Sequence, residues 1–142
     1  VQLRHTSTVT ALDVSQGQSV VFSSGRSCVM VDCGGRSTVE DPGDIAAHKL
    51  LAQGHRSIDL LVLTHPHDDH VNGVLRLMHW LPVRTLAIPA EADTTKAPLS
   101  DILALAAQHR TTVVRVDMEQ TLTAAFRCAC TRSLVQAGRT AV

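Results

Sequence analysis

The chain predicts an α/β fold in which an antiparallel strand meander leads into alternating helices and strands. Three observations point there. Short alternating stretches separated by glycine turns fill the first third; "IDLLVL" has the continuous apolar run of a strand buried on both faces; and stretches with helical apolar spacing alternate with strand-like runs after residue 40. Strands first and helix–strand units afterwards describe a layered α/β domain with helices on at least one sheet face.

Each element has a local reason. "TVTALDV" (8–14) alternates as a half-buried strand, and "SQGQ" turns the chain at Gly17. "SVVFSS" and "CVMVDCGG" are two further strands joined by the tight turn "GRS", and the third ends in a glycine pair. "EDPGDIAAHKLLAQG" reads as a loop and a helix, with Asp44 as a cap near its start and Gly54 as its stop. The buried strand "IDLLVLTH" (58–65) follows. "VNGVLRLMHWL" is a helix with Val71, Val74, Leu75 and Met78 on one stripe. "RTLAIP" is a strand, "APLSDILALAAQH" a helix with Pro98 in its first turn, and "TTVVRV" a strand. A last strand is expected near Leu122 to Cys128, and the pattern dissolves after Thr131. The whole of 1–142 reads as one domain or part of one, without repeats or low-complexity linkers.

Composition bounds the function. The 142 residues are 44% hydrophobic and 18% charged, which are globular values. No apolar run approaches the roughly 18–20 residues of a membrane span, and no basic start followed by an apolar stretch marks a signal peptide. The chain begins with Val1, as an excised domain or processed product would. The formal net charge is zero, so there is no overall electrostatic footprint for tight nucleic-acid binding. With Phe22, Phe126 and Trp80 as its aromatics, the chain offers no base-stacking platform. Cys28, Cys33, Cys128 and Cys130 form no C-x-x-C pair and read as buried thiols.

One cluster carries chemistry. "THPHDDH" (64–70) places His65, His67, Asp69 and His70 where a buried strand gives way to a helix. Strand periodicity puts His65 and His67 on the same side, where two imidazoles can grip one ion, and Pro66 stiffens the turn between them. Asp69 and His70 enter the helix start and can hold a second ion. Two ions about 3.5–4 Å apart can activate a water and stabilise the leaving oxygen of an ester or phosphodiester. Mixed His/Asp ligation suits zinc, manganese or iron. Asp68 is inside the motif but faces solvent or helps from outside it. His5, His48 and His55 are expected on the surface, and His79 and His109 as surface or core positions in helices.

The spacing H-x-H-x-D-H after "DLLVLT" resembles the metallo-β-lactamase superfamily. "ALDVSQGQSVVF", "VMVDCGG", "DPGDIAAHKL" and "IDLLVLTHPHDDHVNGV" further resemble the C-terminal domain of the ComEC competence proteins, over about residues 8–116. The resemblance implies half of an αβ/βα sandwich with a site for two divalent ions, zinc or manganese, at its edge. It assigns His65 and His67 to the first ion, Asp69 and His70 to the second, and the catalytic water to the ion pair beside Asp69. Asp32 matches the first acidic motif and would orient the ligand loop. Gln16 to Gln18 match a loop that approaches the site. Ser15 stands where the family usually has glycine, which strains the turn, and Gln18 where it often has aspartate. The implied role is hydrolysis of DNA during uptake, by a soluble domain of a bacterial cytoplasmic-membrane protein, with DNA as the partner.

The later ligands of the superfamily have no counterpart. "TGD"-like and "HHGS"-like segments are absent, and Asp93, Asp101 and Asp117 lack their context; Asp101 reads as a first-turn helix acid. The chain thus resembles the first half of the fold, with an atypical tail over 120–142. Two expectations follow. Metal binding with two protein ligands per ion is weak or absent. The sheet face that would pack on the second half is bare, so two copies close on each other as a homodimer. Three functions compete: a metal-dependent phosphodiesterase, a hydrolase of thioesters, lactams or lactones in the same superfamily, and an inactive module that self-associates.

Overall fold

The computed structural model describes residues 6–117. Six strands form one sheet whose spatial order is the chain order: β1 (Ser7–Ala11), β2 (Val20–Ser24), β3 (Ser27–Val31), β4 (Ile58–Val62), β5 (Val83–Pro89) and β6 (Thr112–Val116). The first three are antiparallel neighbours, and β3 to β6 run parallel. The two-residue turn Gly25–Arg26 closes the β2–β3 hairpin, with Ser24 paired to Ser27 and Gly25 in the left-handed region at φ 57°. The strand expected near Leu122 to Cys128 lies outside the described residues, as do His5, Cys128 and Cys130.

Each parallel step needs a crossover, and helices supply it: α1 (Pro42–Ala52), the pair α2 (Asp68–Val71) and α3 (Val74–Trp80), and α4 (Leu99–Gln108). Crossovers of one hand between successive neighbours put their helices on the same sheet face. The main core confirms this, joining Ala46, Leu50, Leu77, Met78, Ile102 and Ala106 of the helices to Met30, Leu61, Leu86 and Ile88 of the sheet. Each fully buried Leu or Ile there stabilises the fold by about 1.5–3 kcal/mol.

The opposite face carries a smaller cluster of Val29, Leu60, Val62 and Ala87, flanked by half-buried Phe22, Val31, Val114 and Val116. No described helix covers it. The expectation of a bare face fails at its centre, because those four residues are buried, at 2–6% exposure.

Three local expectations are corrected. The N-cap of α1 is Asp41, whose carboxylate accepts from Gly43 N at 2.7 Å, one turn before Asp44. Asp44 instead points across to α3 and accepts from Arg76 Nε at 2.9 Å and Trp80 Nε1 at 2.6 Å. The helix expected as one piece over 71–81 is two, broken at Asn72 and Gly73. Finally, His55 is buried rather than on the surface, its Nε2 3.0 Å from Ser23 Oγ. His48 is exposed as expected and pairs with Glu40 at 3.0 Å.

Candidate metal centre

The site grows from the ends of two adjacent parallel strands. β3 delivers Asp32 and β4 delivers Thr64, with Asp32 N donating to Val62 O at 2.8 Å to continue the ladder. Asp32 takes up φ 56°, a left-handed conformation that aspartate tolerates better than most residues. The turn aims its carboxylate inward, where it is fully buried.

A buried carboxylate must be satisfied, and three donors converge on this one. Thr64 N donates to Oδ1 at 2.7 Å, Thr64 Oγ1 to Oδ2 at 2.5 Å, and His70 Nδ1 to Oδ2 at 2.8 Å. An ionised carboxylate only accepts, so the His70 proton sits on Nδ1. In the neutral ring Nε2 is then the nitrogen with a free lone pair. It lies 3.7 Å from Asp69 Oδ2, on the outer side of a ring 19% exposed. This is the carboxylate–imidazole arrangement that fixes the tautomer and orientation of a metal-binding histidine.

The structure brings the other motif residues alongside. The His65 ring centroid lies 5.4 Å from that of His70 and 6.1 Å from that of His67, with the His65 and His67 rings nearly parallel, 16° apart. His65 Nδ1 is 3.2 Å from Thr64 Oγ1, so one hydroxyl touches Asp32 and His65 together. His65 and His67 are exposed, and His67 occupies the N-cap position of α2 in extended conformation. Asp68 is exposed and outside these contacts. Among the described residues, no three His, Cys, Asp or Glu side chains converge on one point. The arrangement is a set of pairs with imidazole and carboxylate donors turned outward.

That donor set fits a divalent ion. The tautomer of His70 leaves Nε2 for a cation, and Asp69 adds a carboxylate next to it. Imidazole and carboxylate together are the chemistry of zinc and manganese sites.

A second layer locks the motif from behind. Cys33 N donates to His70 O at 2.8 Å, and Gly73 N to Cys33 O at 2.9 Å. Gln18 N donates to Asp69 O at 3.1 Å, and Gly34 N to Gln18 O at 3.1 Å. The loop at 16–18 thus touches the motif backbone, as its sequence suggests. Such closeness requires glycine: a Cβ on Gly34 would stand 2.4 Å from the Asp69 carbonyl carbon, and one on Gly17 2.4 Å from Gly34 O. Ser15 does sit in a left-handed turn, at φ 63°, braced by Asp13 Oδ1 accepting from its N–H at 3.3 Å.

Sequence reasoning missed Asn72. Its Oδ1 accepts from Gly35 N at 2.9 Å and its Nδ2 donates to Gly35 O at 2.7 Å, so one side chain clamps one backbone residue at two points. The signal available was an Asn-Gly pair directly after the motif, where a helix should continue but Asn favours a break.

The remaining candidates stay apart from the site. Asp93 closes its own turn with Thr95, and Asp101 sits in the first turn of α4. His79 and His109 are exposed and face one another at 6.5 Å. Cys28 and Cys33 are free, buried thiols. Burial, then the Asp59 charge, pushes the Cys28 thiol up to about 12, and burial drives Cys33 higher, aided by Asp41 and Asp32.

Residues 12–128 match the profile of the metallo-beta-lactamase superfamily, and the chain belongs to that superfamily. Among similar proteins are hydroxyacylglutathione hydrolases. That of Stenotrophomonas maltophilia is 38% identical over 63 residues, 44% of this chain and 25% of the relative. That of Salmonella newport is 38% identical over 66 residues, 46% of this chain and 26% of the relative. The chain thus spans about a quarter of the length of the curated relatives it matches. Solved structures share the fold. A Thermotoga maritima protein assigned to the metallo-beta-lactamases superposes with a TM-score of 0.51 at 19% identity, over 80% of this chain and 60% of that one. The Cronobacter sakazakii metallo-beta-lactamase with a HARLDQ motif gives 0.51 at 22%, over 78% and 42%. The protein is therefore a partial metallo-β-lactamase fold of a metal-dependent hydrolase family. Among the described residues no helix is long and apolar enough to cross a membrane.

Proposed function

We propose that this chain carries the first half of a metal-dependent phosphodiesterase site, acting on DNA in the manner of the ComEC competence domains its sequence resembles. The observation that supports it is the buried Asp32 carboxylate fixing His70 with Nε2 outward, beside Asp69 and the His65–His67 pair. His65 and His67 would hold one divalent ion, and Asp69 and His70 the second. When bound, the ions supply an activated water and neutralise charge on the leaving oxygen. The chain's own part is to aim its donors: Asp32 keeps the His70 proton on Nδ1, and Thr64 ties that carboxylate to the strand end. Among the described residues no Ser-His-Asp arrangement is built around the motif, so a side-chain nucleophile has no support there.

A second reading is hydrolysis of a thioester, supported by the relatives named hydroxyacylglutathione hydrolase. A third is an inactive module that self-associates, supported by the absence of a converged ligand set among the described residues. One experiment separates the three. The purified chain, with zinc or manganese added, is assayed on single-stranded DNA and on a glutathione thioester, and its mass in solution is measured. Metal-dependent DNA cleavage lost in His67→Ala supports the first reading. Thioester turnover without cleavage replaces it with the second. A metal-free, inactive dimer leaves the third.

A further inference from the structure

We propose that Asn72 is a positioning residue for His70: by clamping Gly35 it holds the Asp32 loop against the segment that carries Asp69 and His70. Asp32 and His70 are 38 residues apart, and their contact is only as firm as the seam between their two loops. That seam has four backbone links: Cys33 to His70, Gly73 to Cys33, and the two through Gln18. All of them lie on the Asp32 side of Gly35. At Gly35 itself the Asn72 carboxamide closes the seam, with its donor on Gly35 O and its acceptor on Gly35 N; the next hydrogen bonds across it are those of Asp44 with Arg76 and Trp80 in the helices. The pair copies the two hydrogen bonds of a β-bridge, with a side chain in place of a strand.

The position explains the broken helix. A residue at 72 that continued into α3 would point its side chain along the helix surface. Asn72 ends α2 instead, and Gly73 N turns to Cys33 O. The chain gives up one continuous helix for a grip on the loop behind Asp32. The asparagine carboxamide supplies both a donor and an acceptor here: aspartate would oppose an oxygen to Gly35 O, and alanine would leave both groups of buried Gly35 without this partner.

The role rests on reading His70 as a cation ligand, but its test does not need a metal. The ring N–H of His70 donates to Asp32, and its exchange with solvent reports how often that contact opens. His55, before β4 and so at the other end of the sheet from the motif, is a buried imidazole beside Ser23 and serves as internal control. In metal-free full chain, nitrogen-detected NMR compares the His70 and His55 rings in wild type, Asn72→Ala and Asn72→Asp. The expected result is about tenfold faster exchange at His70 in both variants, the factor corresponding to 1.4 kcal/mol of lost pairing, with His55 unchanged. Equal acceleration at both rings would show a merely global loss of stability and overturn the proposal. An unchanged His70 ring in Asn72→Asp, which keeps the Gly35 N–H bond and decides the matter if Asn72→Ala does not fold, would overturn it as well. Failure of the hydrolase reading leaves this measurement intact.

Discussion

Replacing Asp32 separates what the carboxylate does for the fold from what it does for the site. Asp32→Ala removes the acceptor of three hydrogen bonds at 2.7, 2.5 and 2.8 Å. Thr64 and His70 are only half-buried, so water re-satisfies part of the loss and each orphaned donor costs near the low end of about 1–3 kcal/mol. The φ of 56° adds roughly 1 kcal/mol for alanine, which tolerates the left-handed region less well than Asp or Asn. Together these give about 3–5 kcal/mol, a large share of the roughly 5–15 kcal/mol that holds a domain. Asp32→Asn keeps the shape and the backbone conformation, and its oxygen still accepts from Thr64 N. Its amide group, however, now donates toward His70 Nδ1, driving the ring proton to Nε2 and removing the nitrogen that faces outward. The expected loss of stability is about 1–2 kcal/mol. The expected loss of zinc affinity, wherever zinc binds, is on the order of 10–100-fold. Urea unfolding measures the first, and nitrogen NMR of the His70 ring reads the tautomer directly. An Asn variant whose His70 still carries its proton on Nδ1, or an Ala variant within 1 kcal/mol of wild type by this estimate, would refute the reasoning.

Other outcomes follow from the same geometry. Gly34→Ala drives a methyl onto the backbone at Asp69 and His70, at 2.4 and 2.5 Å, where nothing flexible can yield; we expect a loss of about 3 kcal/mol or more in chemical denaturation. Cys28 resists alkylation at pH 8, since raising its thiol from 9.0 to about 12 lowers the thiolate fraction by about 1000-fold; mass spectrometry after iodoacetamide finds it modified only once urea unfolds the chain. The Asp44 carboxyl is held below its ordinary range by the Arg76 and Trp80 hydrogen bonds. Its contribution is therefore complete above the ordinary carboxylate pKa, about 3.9, and is lost as pH falls through the lowered folded value. The difference in melting temperature between wild type and Asp44→Asn should be flat above pH 5 and shrink below pH 4.

Much of the architecture is local information, which is why the sequence reveals it. The strands from Val20 to Val31 alternate or run apolar over short distances, and the turn at Gly25 needs a positive φ that glycine supplies. The H-x-H-x-D-H cluster is compact in sequence, so its gathering beyond one strand end is legible there, although β4 ends at Val62 rather than running to His65, and His65 and His67 lie in the loop that follows. What escaped the sequence depends on partners far along the chain. His55 looks like a surface histidine until β2 brings Ser23 beside it, 32 residues away. Asp44 has the form of a helix cap, but Asp41 precedes Pro42 and takes that role, freeing Asp44 for Arg76 and Trp80. Asn72 reads as a weak helix residue, and its value appears only against Gly35. The central burial of Leu60 and Val62 is likewise a property of the assembled sheet, not of the run "LLVL".

The link between Asp44 and Trp80 gives the molecule an optical reporter. Trp80 is the sole tryptophan, it is 47% exposed, and its indole touches α1 through Asp44 and lies 5.2 Å from the His48 ring. Its fluorescence therefore senses whether α1 and α3 lie side by side. Because α1 leads away from the Asp32 loop and α3 follows directly after the His70 segment, the emission of one native residue records whether the two halves of the candidate site are still docked, without any added label.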